Sequence, residues 1–248
     1  MDPRLRQRWV ETRRREGRRR LRVAAGVVAV GLLGGASWAA ARSPVLDVDR
    51  LVVEGAARSG ARLVAETSAV RRGQAMLDID RGAAARKVSA LPWVLRAEVR
   101  REWPDTVRIR VSERLPVAVT RANAGAWALL DRSARVLAVV PSPPPGLAVL
   151  DGLPEAAAPG TRLGARAAEG LGVVTALPPA LGARVAAVEV GDEGVSLRLA
   201  PVGEVRLGPP EALGDKLQAA LTVLGVVDGR TVATLDVRIP AAPVLTRR

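Results

Sequence analysis

The chain has 248 residues and a formal net charge of +13, carried almost wholly by arginine, since lysine occurs only at Lys87 and Lys216. It holds no cysteine and no histidine, which excludes disulfides, thiol and imidazole nucleophiles and the commonest metal ligand. Aromatics amount to five Trp with no Phe or Tyr, so a core must be assembled from Val, Leu, Ala and Ile; the length suits one or two domains.

Residues 1–22 hold ten Arg against Asp2, Glu11 and Glu16, a net +7 of the +13. A surface for nucleic acid would spread its charge rather than concentrate it at one end. Residues 23–41 contain no charge, and 19 helical positions reach roughly 28 Å, about one hydrocarbon core. Trp38 falls near the far end, where an indole favours the headgroup interface. With the arginines in front, a single transmembrane helix is expected, residues 1–22 in the cytoplasm and residues 43–248 outside. The tail is read as a topology signal touching anionic lipid of the cytoplasmic membrane. Ala39-Ala40-Ala41 resembles a signal-peptidase site, so the alternative is a secreted, cell-wall-associated basic binding protein. The uncharged run exceeds the roughly 7–15 apolar residues of a signal peptide, which favours a retained anchor.

Residues 42–47 form a linker. A strand is expected over 48–53, stopped at Gly55. Ser59 is expected to cap a helix to about Ala69, and Asp78 or Asp80 a second helix through Ala90, ended by Pro92. Residues 97–103 and 106–113 alternate around a Pro104-Asp105 turn, the pattern of a hairpin. A second region opens at Pro116, with short strands over 117–119, 127–130 and 135–140 and a stiff Pro-rich loop over 141–145. A helix over 164–177 precedes strands over 185–190, 195–199 and 203–207. Pro209 and Pro210 open a helix over 211–227, a last strand covers 231–239, and the final residues are expected to be loose. The fold class is α+β: the transmembrane helix, a β-α-α-β-β domain over 48–115, a mixed antiparallel β domain with flanking helices over 116–240, and a tail over 241–248.

No constellation for chemistry emerges. Asp47 with Asp49 and Asp78 with Asp80 are the nearest carboxylate pairs, and capping is the simpler use of the second. Oxygen-only metal binding needs more clustered acids, and no P-loop is present. No catalytic, cofactor or metal site is expected. Trp93 and Trp103, each beside a proline, are expected to plug corners of the core. Glu113 and Arg114, at a strand end, either pair charges internally or bind a partner.

The segments Leu91-Pro92-Trp93-Val94, Ala97 onward through Trp103-Pro104-Asp105-Thr106 to Ile109, and Val111-Ser112-Glu113-Arg114-Leu115-Pro116-Val117-Ala118 resemble the signature of FtsQ/DivIB cell-division proteins. Val53-Glu54-Gly55 and Leu129-Leu130-Asp131 fit it as well. Asp236-Val237-Arg238-Ile239-Pro240, with Pro243-Val244 beyond, is similar to the last strand of the actinobacterial version. One departure is that Ser133-Ala134 stands where the family's turn usually has Gly. The resemblance implies a POTRA domain at 48–115 and a non-enzymatic bitopic scaffold at the division septum. It implies FtsB/DivIC-like and FtsL-like partners and regulation of the septal peptidoglycan synthase complex. It places partner docking on the last strand, at Leu235, Asp236, Val237, Arg238 and Ile239. If that strand lies at a sheet edge, its unpaired backbone groups suit strand addition; the alternative is that it closes its own sheet. Glu54, Glu113 and Arg114 are further interface candidates.

Overall fold

The computed structural model describes residues 24–35, 38, 46–156, 158–227 and 232–247. Residues 24–35 are helical (α1) and exposed along their length. The arginine-rich tail and the remainder of the expected span, Trp38 apart, lie outside the described residues. Among the described residues no helix is long and apolar enough to cross a membrane.

The first folded unit is built on a three-stranded sheet of β1 (Arg50–Glu54), β2 (Val94–Glu102) and β3 (Thr106–Glu113), ordered β1-β3-β2. β2 and β3 form the expected antiparallel hairpin, and β1 runs parallel to β3. In β3, Val107, Ile109 and Val111 point into the core while Arg110 and Ser112 face water, as period-two alternation requires. A β1 parallel to β3 needs a long connection, and α2 (Ala61–Ser68) and α3 (Arg81–Ser89) lie within it. Their inward residues Val64, Ala84 and Val88 join Met76, Val94, Val107 and Ile109 in one apolar cluster.

The helix starts follow the sequence unevenly. Asp80 caps α3 as expected, its Oδ1 accepting Ala83 N–H at 2.9 Å; that backbone hydrogen bond is the main reason its carboxyl sits below the ordinary value. Ser59 does not cap α2. Gly60 takes that position without a side-chain bond, and the Ser59 hydroxyl is used elsewhere.

The second unit is a nine-stranded mixed sheet ordered β12-β11-β10-β9-β8-β7-β4-β5-β6. Its strands are β4 (Pro116–Arg121), β5 (Trp127–Asp131), β6 (Val136–Val140), β7 (Ala148–Asp151), β8 (Val185–Gly191), β9 (Gly194–Leu199), β10 (Glu204–Gly208), β11 (Val232–Asp236) and β12 (Val244–Arg247). Three pairs are parallel: β4 with β7, β7 with β8, and β10 with β11. The helices α4 (Ala165–Ala176), α5 (Pro179–Gly182) and α6 (Leu213–Val226) contribute Leu171, Leu181 and Leu224 to a core with Leu130, Leu150, Leu197, Leu207 and Leu235. At Gly170 of α4 a Cβ would collide with Leu150 and Val190, so the absent side chain lets helix and sheet approach. The residues of β4–β6 that alternate with this core, Val119, Leu129 and Leu137, form a smaller cluster with Trp93 and Trp127.

Three expectations are corrected. The strand expected over 231–239 ends at Asp236, and the tail expected to be loose folds back as β12. β7 lies in a stretch for which the sequence pattern predicts no element, and it bridges β4 and β8. Trp93 is partly buried against the smaller cluster, but Trp103 is 53% exposed and plugs no core.

Candidate functional site

Of the two edge strands of the large sheet, β12 is made from the last described residues of the chain. It pairs antiparallel with β11 on one side, Leu235 opposite Leu245 and Asp236 opposite Val244. No strand among the described residues pairs with its other side, so a row of backbone N–H and C=O groups there is open to another chain. Leu245 turns into the core, Val244 is 62% exposed, and Thr246 and Arg247 face solvent. Beside β12 lies an open groove of about 480 Å³ between α6 and the turn before the strand, with Ala219, Val223, Pro240 and Pro243 among its lining residues.

The residues expected to bind a partner divide by position. Leu235 and Val237 are fully buried, and β11 is hydrogen-bonded on both sides by β10 and β12. Neither its apolar side chains nor its backbone edge is open, so the condition for strand addition on this strand is not met: it closes its own sheet, and the edge is β12. Asp236 and Arg238 form a local clamp. The Asp236 carboxylate accepts Arg238 N–H at 3.0 Å and the guanidinium through Nη2 at 2.7 Å. The side-chain bond from Arg238 is the first cause that lowers the Asp236 carboxyl below its ordinary value. Arg238 lies across Gly208, whose φ of +67° and missing Cβ make room for it, and it borders an open groove of about 540 Å³ with Glu193, Glu204 and Arg206. Ile239 is 67% exposed.

The three candidates on the first unit are engaged within the protein. Glu54, on the open face of the small sheet, pairs with Arg108 and Arg110. Arg108 also meets Glu102 through Nε at 2.6 Å, and its two carboxylate partners hold its proton more tightly than usual. Glu113 accepts N–H bonds from Arg58 and Ser59 and the Ser59 hydroxyl at 2.6 Å, which fixes the loop before α2. Burial pushes its carboxyl up, but these bonds together bring it below the ordinary value.

Arg114 joins the two units. Its backbone N–H donates to Trp93 O at 2.7 Å, its Nε to Val94 O at 3.0 Å and its Nη1 to Asp131 Oδ2 at 2.7 Å. Asp131, 3% exposed, accepts three more bonds at Oδ1, from Ser133 N–H, Ser133 hydroxyl and Arg135 N–H. Arg135 returns to the first unit through Nη2, which donates to Ala90 O at 2.8 Å. Ala134, in the turn between Asp131 and Arg135, adopts a left-handed φ of +61°.

Neither edge strand β12 nor the Arg114–Asp131 joint was found from the sequence. Val244-Leu245-Thr246-Arg247, behind Pro240 and Pro243, is a run of strand-forming residues so short that it gives only a faint signal. The joint has no local signal, because its partners stand far apart in the chain. Among the described residues no cluster of acids is of a kind that holds a metal.

A parallel β1–β3 pair joined by two helices, with β2 completing the hairpin, is a POTRA architecture, and residues 46–114 match the model of the POTRA domain, FtsQ-type. A cell division protein FtsQ of Streptomyces collinus is 30% identical over 243 residues, covering 92% of this chain and 89% of that protein. One of Salinibacter ruber is 35% identical over 199 residues, covering 75% of this chain and 74% of that protein. One of Streptomyces bingchenggensis is 28% identical over 233 residues, covering 92% and 87%. A solved structure of the major extracytoplasmic domain of the cell division protein DivIB from Geobacillus stearothermophilus overlaps 47% of this chain and 99% of that one, with 20% identity and a TM-score of 0.33. The chain belongs to the FtsQ/DivIB family of bacterial cell division proteins, in its actinobacterial form, and carries the family's POTRA domain.

Proposed function

We propose that this protein serves cell division as a non-enzymatic, bitopic scaffold at the septum. In this reading residues 1–22 are cytoplasmic, residues 23–41 cross the membrane, and the POTRA and FtsQ-type β domains (48–115 and 116–240) stand outside. Its partners are FtsB/DivIC-like and FtsL-like division proteins, through which it regulates the septal peptidoglycan synthase complex. Kinship with proteins named for cell division supports the role, and the uncharged run behind ten arginines supports the topology.

The observation that carries the docking mode is the open side of β12. An extended partner segment adding there gains backbone hydrogen bonds from the edge and side-chain contact from the neighbouring groove. Arg238 and Ile239 are exposed near the turn that leads into β12, within reach of such a segment. Leu235 and Val237 act from beneath, by holding β11 in the core.

Co-purification of the full chain with the FtsB/DivIC-like protein of the same cell tests this. Deleting residues 244–248 should abolish retention while circular dichroism stays that of a folded protein, and Arg238→Glu should weaken it. Retention by a folded deletion variant would move the dock elsewhere. Retention that collapses steeply with salt in the intact protein would instead favour a polymer-binding role through the arginines.

A further inference from the structure

Two large apolar side chains are left outside at the end of the POTRA sheet where the chain arrives from its N-terminal side. Trp103, in the turn between β2 and β3, is 53% exposed, and Leu77, in the 3-10 turn Met76–Asp78, is 48% exposed. Arg101, two residues before Trp103, donates from Nη2 to Leu77 O at 3.2 Å and to Ile79 O at 2.6 Å, which ties that turn to the end of β2. The arriving chain is fastened to both. Val48 N–H donates to Gln74 O and Gly73 N–H to Val48 O, each at 2.9 Å, while Asp49 N–H donates to Asp105 O at 2.9 Å. Leu77, Trp103 and the point of arrival therefore share one pole.

The pole carries charges of both signs. Arg50, Arg71 and Arg72 are exposed there, and so are Asp49 and Asp78. Asp105, in the same turn as Trp103, has its carboxylate engaged by the Thr106 hydroxyl at 2.7 Å and faces Arg50 at 3.6 Å. An exposed indole and leucine with arginines at the same pole suit a bilayer interface, where aromatic rings settle at the headgroup level and basic groups meet lipid phosphates. Chain length puts that interface within reach. Five Cα steps separate Ala41, the end of the uncharged run, from Leu46, so they can be at most about 18 Å apart.

We propose that this pole is a lipid-contact surface: Trp103 and Leu77 enter the headgroup layer of the membrane, and Arg50, Arg71 and Arg72 bind its phosphates. The POTRA domain is then held against the bilayer by its own surface as well as by the chain. This rests on the reading of residues 23–41 as a membrane segment.

The lack of cysteine makes single-cysteine spin labelling of the full chain direct. Val30→Cys, Leu77→Cys and Asp192→Cys are each labelled with a nitroxide and reconstituted in vesicles of equal parts phosphatidylglycerol and phosphatidylcholine. Asp192, on the β8–β9 hairpin of the other sheet and highly exposed, is the reference for water. The ratio of collisions with oxygen to collisions with a nickel chelate reports lipid contact. It should be highest at 30 and severalfold higher at 77 than at 192, and adding Trp103→Ser to the chain labelled at 77 should bring it down toward the value at 192. Lipid contact at 30 with a water-like value at 77 overturns the proposal and leaves the membrane segment standing. A water-like value at 30 removes the membrane segment and the proposal with it. A value at 77 unmoved by Trp103→Ser overturns the part assigned to the indole.

Discussion

Asp131 sits almost wholly out of water and remains a carboxylate because four donors surround it. Burial alone pushes its carboxyl up, but the bonds from Arg135, Arg114 and Ser133 outweigh that effect and bring it below the ordinary value. A carboxyl depressed on folding contributes stability that is present above its unfolded value and is lost as pH falls through the folded one. Removing one partner of a buried pair is costly because the other is left uncompensated, and Asp131→Asn should lower stability near neutral pH by about 3–5 kcal/mol. Urea unfolding followed from neutral pH to below about pH 4 should show the acid loss flattened in the variant relative to the wild type. An unchanged acid limb would mean that other carboxylates, Glu113 among them, carry it. The same network explains why Arg114 belongs to the joint: its guanidinium is spent on Asp131 and on the Val94 carbonyl.

At the scale of elements, α2 ends on a residue ill suited to its backbone. Ala69 closes the helix in the left-handed region with φ of +58°, and its side chain is exposed. Glycine takes that conformation without the Cβ clash, so Ala69→Gly should stabilise the protein by about 0.5–1 kcal/mol despite the greater freedom of its unfolded chain. Urea denaturation checks this, and a loss of stability would show that the Ala69 methyl packs to more effect than its exposure suggests.

The elements that were legible had strong patterns or punctuation. The β2–β3 hairpin alternates cleanly, α3 has its Asp80 cap, and β8, β9 and β10 are separated by glycine-containing turns. β7 was hidden because Val149 packs on one face and Leu150 on the other, so its short run shows no alternation. β12 was hidden because it is four residues long and stands behind two prolines. Alternation puts Leu235 and Val237 on one face, but whether the strand lies inside the sheet or at its edge depends on strand order, and strand order is not a local property. Trp103 was misread for the same reason: a Trp-Pro pair marks a turn without saying whether the turn is covered.

Across the whole molecule, the cores of the two units are joined by the Arg114–Asp131 network and by Trp93, which packs on the smaller cluster of β4–β6, and the charged outer face of the POTRA sheet is internally neutralised by pairs such as Arg100 with Glu98. The large sheet is less uniform along its length. β8 and β9 are neighbours in sequence and pair along most of their length, whereas β11 meets β10 only over Glu204–Arg206, in parallel, after the chain has passed through α6. Closing that longer excursion costs more conformational entropy than closing a hairpin, so the β11–β12 end should be the less protected one. Hydrogen exchange should find the amides of β11 and β12 opening before those of β8 and β9; equal protection would mean that Leu235 and Val237 bind the end as firmly as the centre.

β12 is held to the rest of the sheet through one strand only, β11, and the open side it presents depends on that pairing. With β12 detached, β11 becomes the edge in its place and shows a different row of backbone groups and side chains. A partner that grips β12 therefore also checks that this end of the sheet is assembled, and copies in which it has come apart are left out of the complex without any separate inspection.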